Sequence, residues 1–503
     1  MQQAQLPSSL NKVEGTSLEA HFRPFRAQII GIEAEFVSPY GMQKLMYADW
    51  IASGRLYKPI EDRMQHQFGP MVGNTHSESS ETGICMTQAY HEAHKIIKAH
   101  VHASDEDVLL TTGTGMTGAL AKLQRILGLK IPEGFNHKFQ LPESSRPVVF
   151  LTHLEHHSNQ TSWLETIADV EIIPPSAGLR VVPQHLIPLL EKYKDRPLKI
   201  GSFTACSNVT GLQPDYYALA KIMHQHGGYC FVDFAASAPY LDMDMHPEDP
   251  ECRLDAIFFS PHKFLGGPGS SGVLIFNKEL YHNHVPDHPG GGTVSWTNPW
   301  GGHSYFEDIE TREDGGTPGF LQAIRCALAI NLKEKMQPLL MQQREEELLE
   351  IAFEHFDKIE GLSMLAPQDR DRLGVISFYI EDIHYNLVVK LLNDRFGIQV
   401  RGGCSCAGTY GHYLLHVDEA QSFNITCKID EGDLSNKPGW VRLSLHPTMT
   451  NDELAFIMEA IKAVAENANE WKKDYTYAPY ANEFYHKTFD PPLAKQIRAW
   501  FEI

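Results

Sequence analysis

Apolar positions gather unevenly along this chain. Between about residues 105 and 280 they form short runs rich in β-branched and aromatic residues. These are Val108-Leu109-Leu110, Val148-Val149-Phe150-Leu151, Val170-Glu171-Ile172-Ile173, Leu198-Lys199-Ile200, Tyr229-Cys230-Phe231-Val232, Ala256-Ile257-Phe258-Phe259 and Val273-Leu274-Ile275-Phe276. Stretches of helical period separate several of them, at 119–127, 185–193 and 216–226. Apolar runs alternating with amphipathic stretches predict an α/β fold, a mostly parallel seven-stranded sheet covered by helices on both faces. After Pro318 the pattern changes. A long helical stretch over 320–355 leads to strand-like runs at 375–378, 397–400 and 440–443, with helices near 384–395 and 450–466. That pattern predicts a second, smaller α+β domain. The expected division is an N-terminal arm (1–30), a large domain (31–325), a small C-terminal domain (326–475) and an extension (476–503).

Composition narrows the classes of function. The 503 residues carry 63 acidic against 43 basic side chains, a formal charge of −20. Such an excess of acid disfavours nucleic acid and anionic membranes as main partners. No apolar run approaches the roughly 20 residues needed to cross a bilayer. The first residues lack a charged-then-apolar leader, so a cytoplasmic address is expected. Eight cysteines in a chain of this length are not a disulfide framework, and only Cys404 and Cys406 sit together.

In an open α/β sheet, ligands bind beyond the carboxyl ends of the strands. Polar or glycine-rich elements follow five of the predicted strands: Thr111–Gly118, His153–His157, Cys206-Ser207-Asn208, Asp233 and Ser260-Pro261-His262-Lys263. The glycine-rich turn opens a helix, where free backbone N–H groups can cradle a phosphate. Gly113, Gly115 and Gly118 also fit G-x-G-x-x-G, but the acid expected at the end of the next strand is missing, since Glu133 lies in a loop. A monophosphate cradle therefore fits better than a dinucleotide site. Asp233 follows four apolar residues, so its carboxylate needs a cationic partner or an N-cap role. Lys263 follows a strand end on the same rim, and a partly buried lysine loses its charge easily and becomes a nucleophile. Phosphate cradle, acceptor lysine and a carboxylate for a ring nitrogen are together what pyridoxal 5'-phosphate demands.

With these residues in place, the chain from about 45 to 465 resembles the class V aminotransferase-like, fold type I pyridoxal-phosphate enzymes, in particular the cysteine desulfurase and selenocysteine lyase branch. Ser260-Pro261-His262-Lys263 resembles the family's S-x-H-K, which implies that Lys263 carries the cofactor as an aldimine. Ser260 and His262, with Thr114 and Gly115 of the turn, would then hold its phosphate. The resemblance further implies that Asp233 pairs with the ring nitrogen, that His156 stacks on the ring, and that Asn208 lies near cofactor and substrate. Arg442, in Val441-Arg442-Leu443-Ser444, matches the arginine that clamps the substrate carboxylate. Gly290-Gly291-Gly292-Thr293 resembles a loop at a dimer interface, which would bring Thr293 to the phosphate of a second subunit in a homodimer.

Arg401-Gly402-Gly403-Cys404-Ser405-Cys406-Ala407 resembles the family loop R-x-G-x-x-C-A and places Cys406 on the persulfide-forming cysteine. Glycines beside it would let the loop move, and Arg401 could favour the reactive thiolate. A C-x-C pair with no second pair nearby is poor for zinc, so no metal is expected. Two departures bear on the substrate. Where the family often has Gln in D-x-A-Q, this chain has Ala236, and the stretch from Ala407 to Arg442 is long, with Tyr410, His412 and Tyr413 in it. The expected activity is removal of sulfur from L-cysteine, through an aldimine on Lys263 and a persulfide on Cys406, with a sulfur-acceptor protein as a possible partner. The alternatives are a selenocysteine or C–S lyase, a transaminase or an epimerase on another amino acid. A nicotinamide-dependent oxidoreductase using the glycine turn, or a scaffold without cofactor, are readings from other classes.

Overall fold

The computed structural model describes residues 17–75, 79–136 and 141–503, so residues 1–16 of the expected N-terminal arm lie outside the described residues. Each of the seven apolar runs falls on a strand of one sheet, with only Ile173 and Leu198 just outside their strands. They are β1 (Asp107–Thr112), β2 (Val148–Leu151), β3 (Asp169–Ile172), β4 (Lys199–Thr204), β5 (Tyr229–Asp233), β6 (Ala256–Phe259) and β7 (Gly272–Asn277). The order across the sheet is β1-β7-β6-β5-β4-β2-β3. Only β7 runs against its neighbours β1 and β6, while the other pairs are parallel. Strands β2 and β6 are buried at every position, which is why they read as unbroken apolar runs rather than as an alternation.

The long stretch predicted over 320–355 is two helices, Phe320–Met336 and Pro338–Phe356. Gln337 breaks them with φ 65°. Pro338 is the cause, because proline donates no backbone hydrogen bond and pushes the preceding residue out of the helical region.

A second sheet follows, formed by β8 (Leu362–Met364), β9 (Val375–Ile380), β10 (Arg401–Gly403) and β11 (Trp440–Ser444). Its order is β8-β9-β11-β10, all antiparallel. Helices Tyr385–Phe396 and Asn451–Trp471 belong to the same region. The described part of the N-terminal arm is docked rather than loose: helix Leu18–Arg26 buries Phe22 in the main core, and Arg26 pairs with Glu453. The C-terminal residues hold a hairpin, β12 (Tyr475–Ala478) with β13 (Glu483–His486). Among the described residues no helix is long and apolar enough to cross a membrane.

One segment stitches the two sheets together. Ser444 of β11 donates its N–H to Ala48, and Gly54 donates to the carbonyl of His262 beside Lys263, at 2.8 and 3.0 Å. The residues between them, Asp49 among them, therefore lie in the seam between the two sheets.

Candidate active site

Strands β4, β5 and β6 are parallel neighbours, so their carboxyl ends deliver Thr204–Asn208, Asp233 and Ser260–Lys263 side by side. A cavity of about 440 Å³ opens over them. Lys263, Asp233, His156, Asn208, Ser260, His262, Cys406 and Arg442 all line it. A neighbouring cavity of about 710 Å³ shares His262 with it and is lined by Gly113 and Thr114. Thr293 lines neither cavity. It is fully buried in its own loop, where its hydroxyl donates to the Gly290 carbonyl at 2.7 Å.

The turn after β1 fits a phosphate. Gly115 ends it with no side-chain cap on the helix Met116–Ile126. The Ser260 hydroxyl accepts the Met116 N–H at 2.9 Å. A Cβ on Gly115 would stand 2.9 Å from the Ser260 oxygen and 3.5 Å from the His262 ring. A side chain there would fill the cradle, so glycine keeps the helix N-terminus open to an anion.

Lys263 sits on a single tight turn, Pro261–Lys263, that follows β6. Burial pulls its ammonium down to about 8, with the Asp233 carboxylate pulling the other way. Asp233 is itself buried, which raises it to about 6, while the Ala235 N–H donating at 2.8 Å and Lys263 both oppose the rise. Neither group is comfortable with its charge unless a third group shares it, and the protonated ring nitrogen of pyridoxal phosphate is such a group for Asp233. His156 caps the helix His157–Leu164, its Nδ1 accepting from the Ser158 N–H at 3.1 Å. That bond assigns the ring proton to Nε2. Burial, and then Lys263, lower His156 to about 4, so the ring is neutral near pH 7. His262 is lowered to about 4 for the same reasons.

Glu155 braces this edge from beneath. It accepts from Thr152, from Asn159 and from the Thr204 N–H at the end of β4, and burial raises it to about 7.

The opposite wall comes from the second sheet. Arg442 is buried, and one nitrogen donates to the Asn208 carbonyl at 3.1 Å while another donates to Asp49 at 2.9 Å. Its Nε is buried and without a hydrogen-bond partner, as is the Asn208 Oδ1. Two orphaned polar atoms on one cavity wall mark a place for a polar ligand. Asp49 also accepts from Arg401 at 2.9 Å, so Arg401 spends its charge there. Sequence reasoning missed Asp49. The signal was an acid inside the apolar run Met46–Ile51, which calls for a cation.

Cys406 is exposed at the mouth. Ser405 and Cys406 are both left-handed, with φ 50° and 56°. Flanking glycines suggested a mobile loop, yet the backbone is tied on both sides. The Asn208 amide donates to the Ser405 carbonyl and the His157 N–H donates to the Cys406 carbonyl, each at 2.7 Å. Ala236 lines the cavity and offers only a methyl group where the family often has glutamine. Lys437, Tyr385, Asn386 and Asn482 complete the mouth, and none of them was expected there.

The chain is similar to known proteins. The profile of the family Aminotransferase class-V matches residues 46–456. A probable cysteine desulfurase of Halalkalibacterium halodurans is 28% identical over 364 residues, 72% of this chain and 84% of that protein. A probable cysteine desulfurase of Staphylococcus epidermidis is 30% identical over 371 residues, covering 73% and 84%. The structure of a cysteine desulfurase from Thermococcus onnurineus superposes with a TM-score of 0.69 at 21% identity, over 88% of this chain and 98% of that one. At that identity the likeness shows the fold alone.

Proposed function

Because the chain belongs to the class V aminotransferase family and is a pyridoxal-phosphate-dependent enzyme, we propose that it is a cysteine desulfurase that converts L-cysteine to alanine and carries the sulfur away on Cys406. The observation that carries this reading is the presence of the exposed Cys406 thiol on the same cavity as Lys263 and Arg442. Both comparisons with curated relatives support the substrate class.

When bound, the cofactor supplies an electron sink for the bond-breaking steps at the substrate. The residues that would hold it are Ser260, His262 and the Gly115 turn for its phosphate, Asp233 for its ring nitrogen and His156 for its ring face. Lys263, with a depressed pKa, takes the proton from the substrate α-carbon at its Nζ. Arg442 orients the substrate carboxylate through the guanidinium N–H groups that Asp49 and Asn208 leave free. The Cys406 sulfur attacks the substrate sulfur: an S–S bond forms as the substrate's C–S bond breaks. The substrate carbon then gains a proton, giving alanine and a persulfide on Cys406, and a thiol reductant releases that sulfur as sulfide. This reading makes the protein a cytoplasmic homodimer, with an acceptor protein taking the sulfur.

The purified protein loaded with cofactor should turn L-cysteine into alanine and, with dithiothreitol, sulfide in equal amounts. Pyruvate and ammonia in place of alanine would make it a lyase, a keto-acid requirement a transaminase, and D-cysteine an epimerase. Arg442→Lys keeps the charge and loses the planar fork. Its KM for L-cysteine should rise about one to two orders of magnitude, with a smaller change in kcat. An unchanged KM would remove Arg442 from carboxylate binding.

A further inference from the structure

The mouth of the cavity contains a residue from a segment beyond the family-matched residues 46–456. Asn482 lies in the turn of the β12–β13 hairpin and lines the cavity beside Tyr385, Asn386 and Cys406. We propose that this C-terminal hairpin is a working part of the active site: through Asn482 it holds Tyr385 and Asn386 under the strand that leads to Cys406, and so positions the thiol for sulfur transfer. The inference rests on the cysteine desulfurase reading.

Four observations carry it. First, Asn482 is left-handed, with φ 56°, a conformation asparagine tolerates well. Second, it is bonded on every side. Its carbonyl accepts from the Asn386 amide at 2.5 Å, its own amide donates to the Tyr385 hydroxyl at 2.7 Å, and the Tyr477 hydroxyl donates to its side-chain oxygen at 2.9 Å.

Third, the hairpin is anchored away from the cavity. Tyr475 donates to the buried Asp394 at 2.9 Å, and the His384 ring stacks on Tyr385 and lies 5.2 Å from Tyr477 and 5.4 Å from Phe484. Fourth, Tyr385 and Asn386 touch the cysteine strand with nothing between. A Cβ on Gly402 would stand 2.3 Å from the Asn386 side-chain oxygen and 3.1 Å from the Tyr385 ring. Gly402 is four residues before Cys406. The hairpin also bonds the end of the long stretch after Cys406, the Leu434 N–H donating to the Pro479 carbonyl at 3.1 Å. Both ends of the segment that carries Cys406 therefore rest on the hairpin or on residues it holds.

Sulfur transfer needs the thiol placed to within about an ångström, whereas proton removal by Lys263 does not involve it. The two half-reactions therefore separate the positioning role from a merely structural one. In the holoenzyme, Asn482→Ala should lower kcat for alanine release from L-cysteine about tenfold or more. Exchange of the α-proton of L-alanine into deuterium oxide, which needs Lys263 but not Cys406, should stay within about twofold. Amide hydrogen exchange should speed up across 401–407 and not across 256–264. Asn482→Asp, whose oxygens accept from both tyrosine hydroxyls, should restore most of the rate. If Asn482→Ala does not fold, Asn482→Gly, which keeps the left-handed backbone, carries the same test. An unchanged kcat, or an equal loss of α-proton exchange, would overturn the proposal. A wild-type protein that forms no persulfide on Cys406 would instead overturn the desulfurase reading, and the hydrogen-exchange arm would still report whether the hairpin braces the loop.

Discussion

Lys263→Ala should leave the protein without covalently held cofactor and cut alanine formation from L-cysteine by roughly three to four orders of magnitude. In the proposed mechanism two of its tasks fail together, since the same Nζ attaches the cofactor and moves the substrate proton. The environment explains why this lysine is suited to both. An ordinary lysine near pH 10.4 is neutral in well under a thousandth of molecules at pH 7, whereas one held at about 8 is neutral in about a tenth. Burial thus raises the reactive fraction a few hundredfold. The sign of the pH dependence follows. Attachment of cofactor to the cofactor-free protein should accelerate about tenfold per unit as pH rises toward 8 and level off above it. Borohydride reduction of the loaded protein, with peptide mass analysis, should find the cofactor's mass on the peptide containing Lys263. Finding it on another lysine, or an attachment rate flat from pH 6 to 8, would refute the assignment.

The strands were legible because their burial is two-sided. Val148–Leu151 and Ala256–Phe259 are apolar at every position and buried at every position, so the local pattern and the tertiary role coincide. The elements at their carboxyl ends were legible for the same reason: once β4, β5 and β6 are strands, Asn208, Asp233 and Lys263 must share an edge. The break at Gln337 was legible in principle, because Pro338 announces it. What sequence order hid was the far wall. Asp49 meets Arg442 across 393 positions, and Asn482 meets Tyr385 across 97, contacts that no local pattern encodes. The contacts of the cysteine loop were hidden for a related reason. Its glycines suggest freedom, but the bonds that restrain it come from Asn208 and His157, which lie in the other sheet's territory.

Cys406→Ser is the second change with a large expected effect, and it should separate the steps that Lys263→Ala merges. Cys406 contributes no bond to the cofactor cradle, and its side chain is exposed, so cofactor attachment and the fold should survive. Exchange of the α-proton of L-alanine should continue, since in the proposed mechanism Lys263, not Cys406, moves that proton. Alanine release from L-cysteine should fall about a hundredfold, because a thiol from solution must replace one already held beside the substrate sulfur. A serine hydroxyl does not substitute, being a far weaker nucleophile toward sulfur at neutral pH. Cys404→Ser gives the control: it lies two positions away in the same loop and on the same cavity, but points of attachment at Ser405 separate it from Cys406. If sulfur passes directly to Cys406, Cys404→Ser keeps most of the rate, and mass analysis after a brief exposure to L-cysteine finds the added sulfur on Cys406. If Cys406→Ser turns over L-cysteine at the wild-type rate, the thiol is not the acceptor, and the enzyme removes sulfur without a protein-bound persulfide at this site.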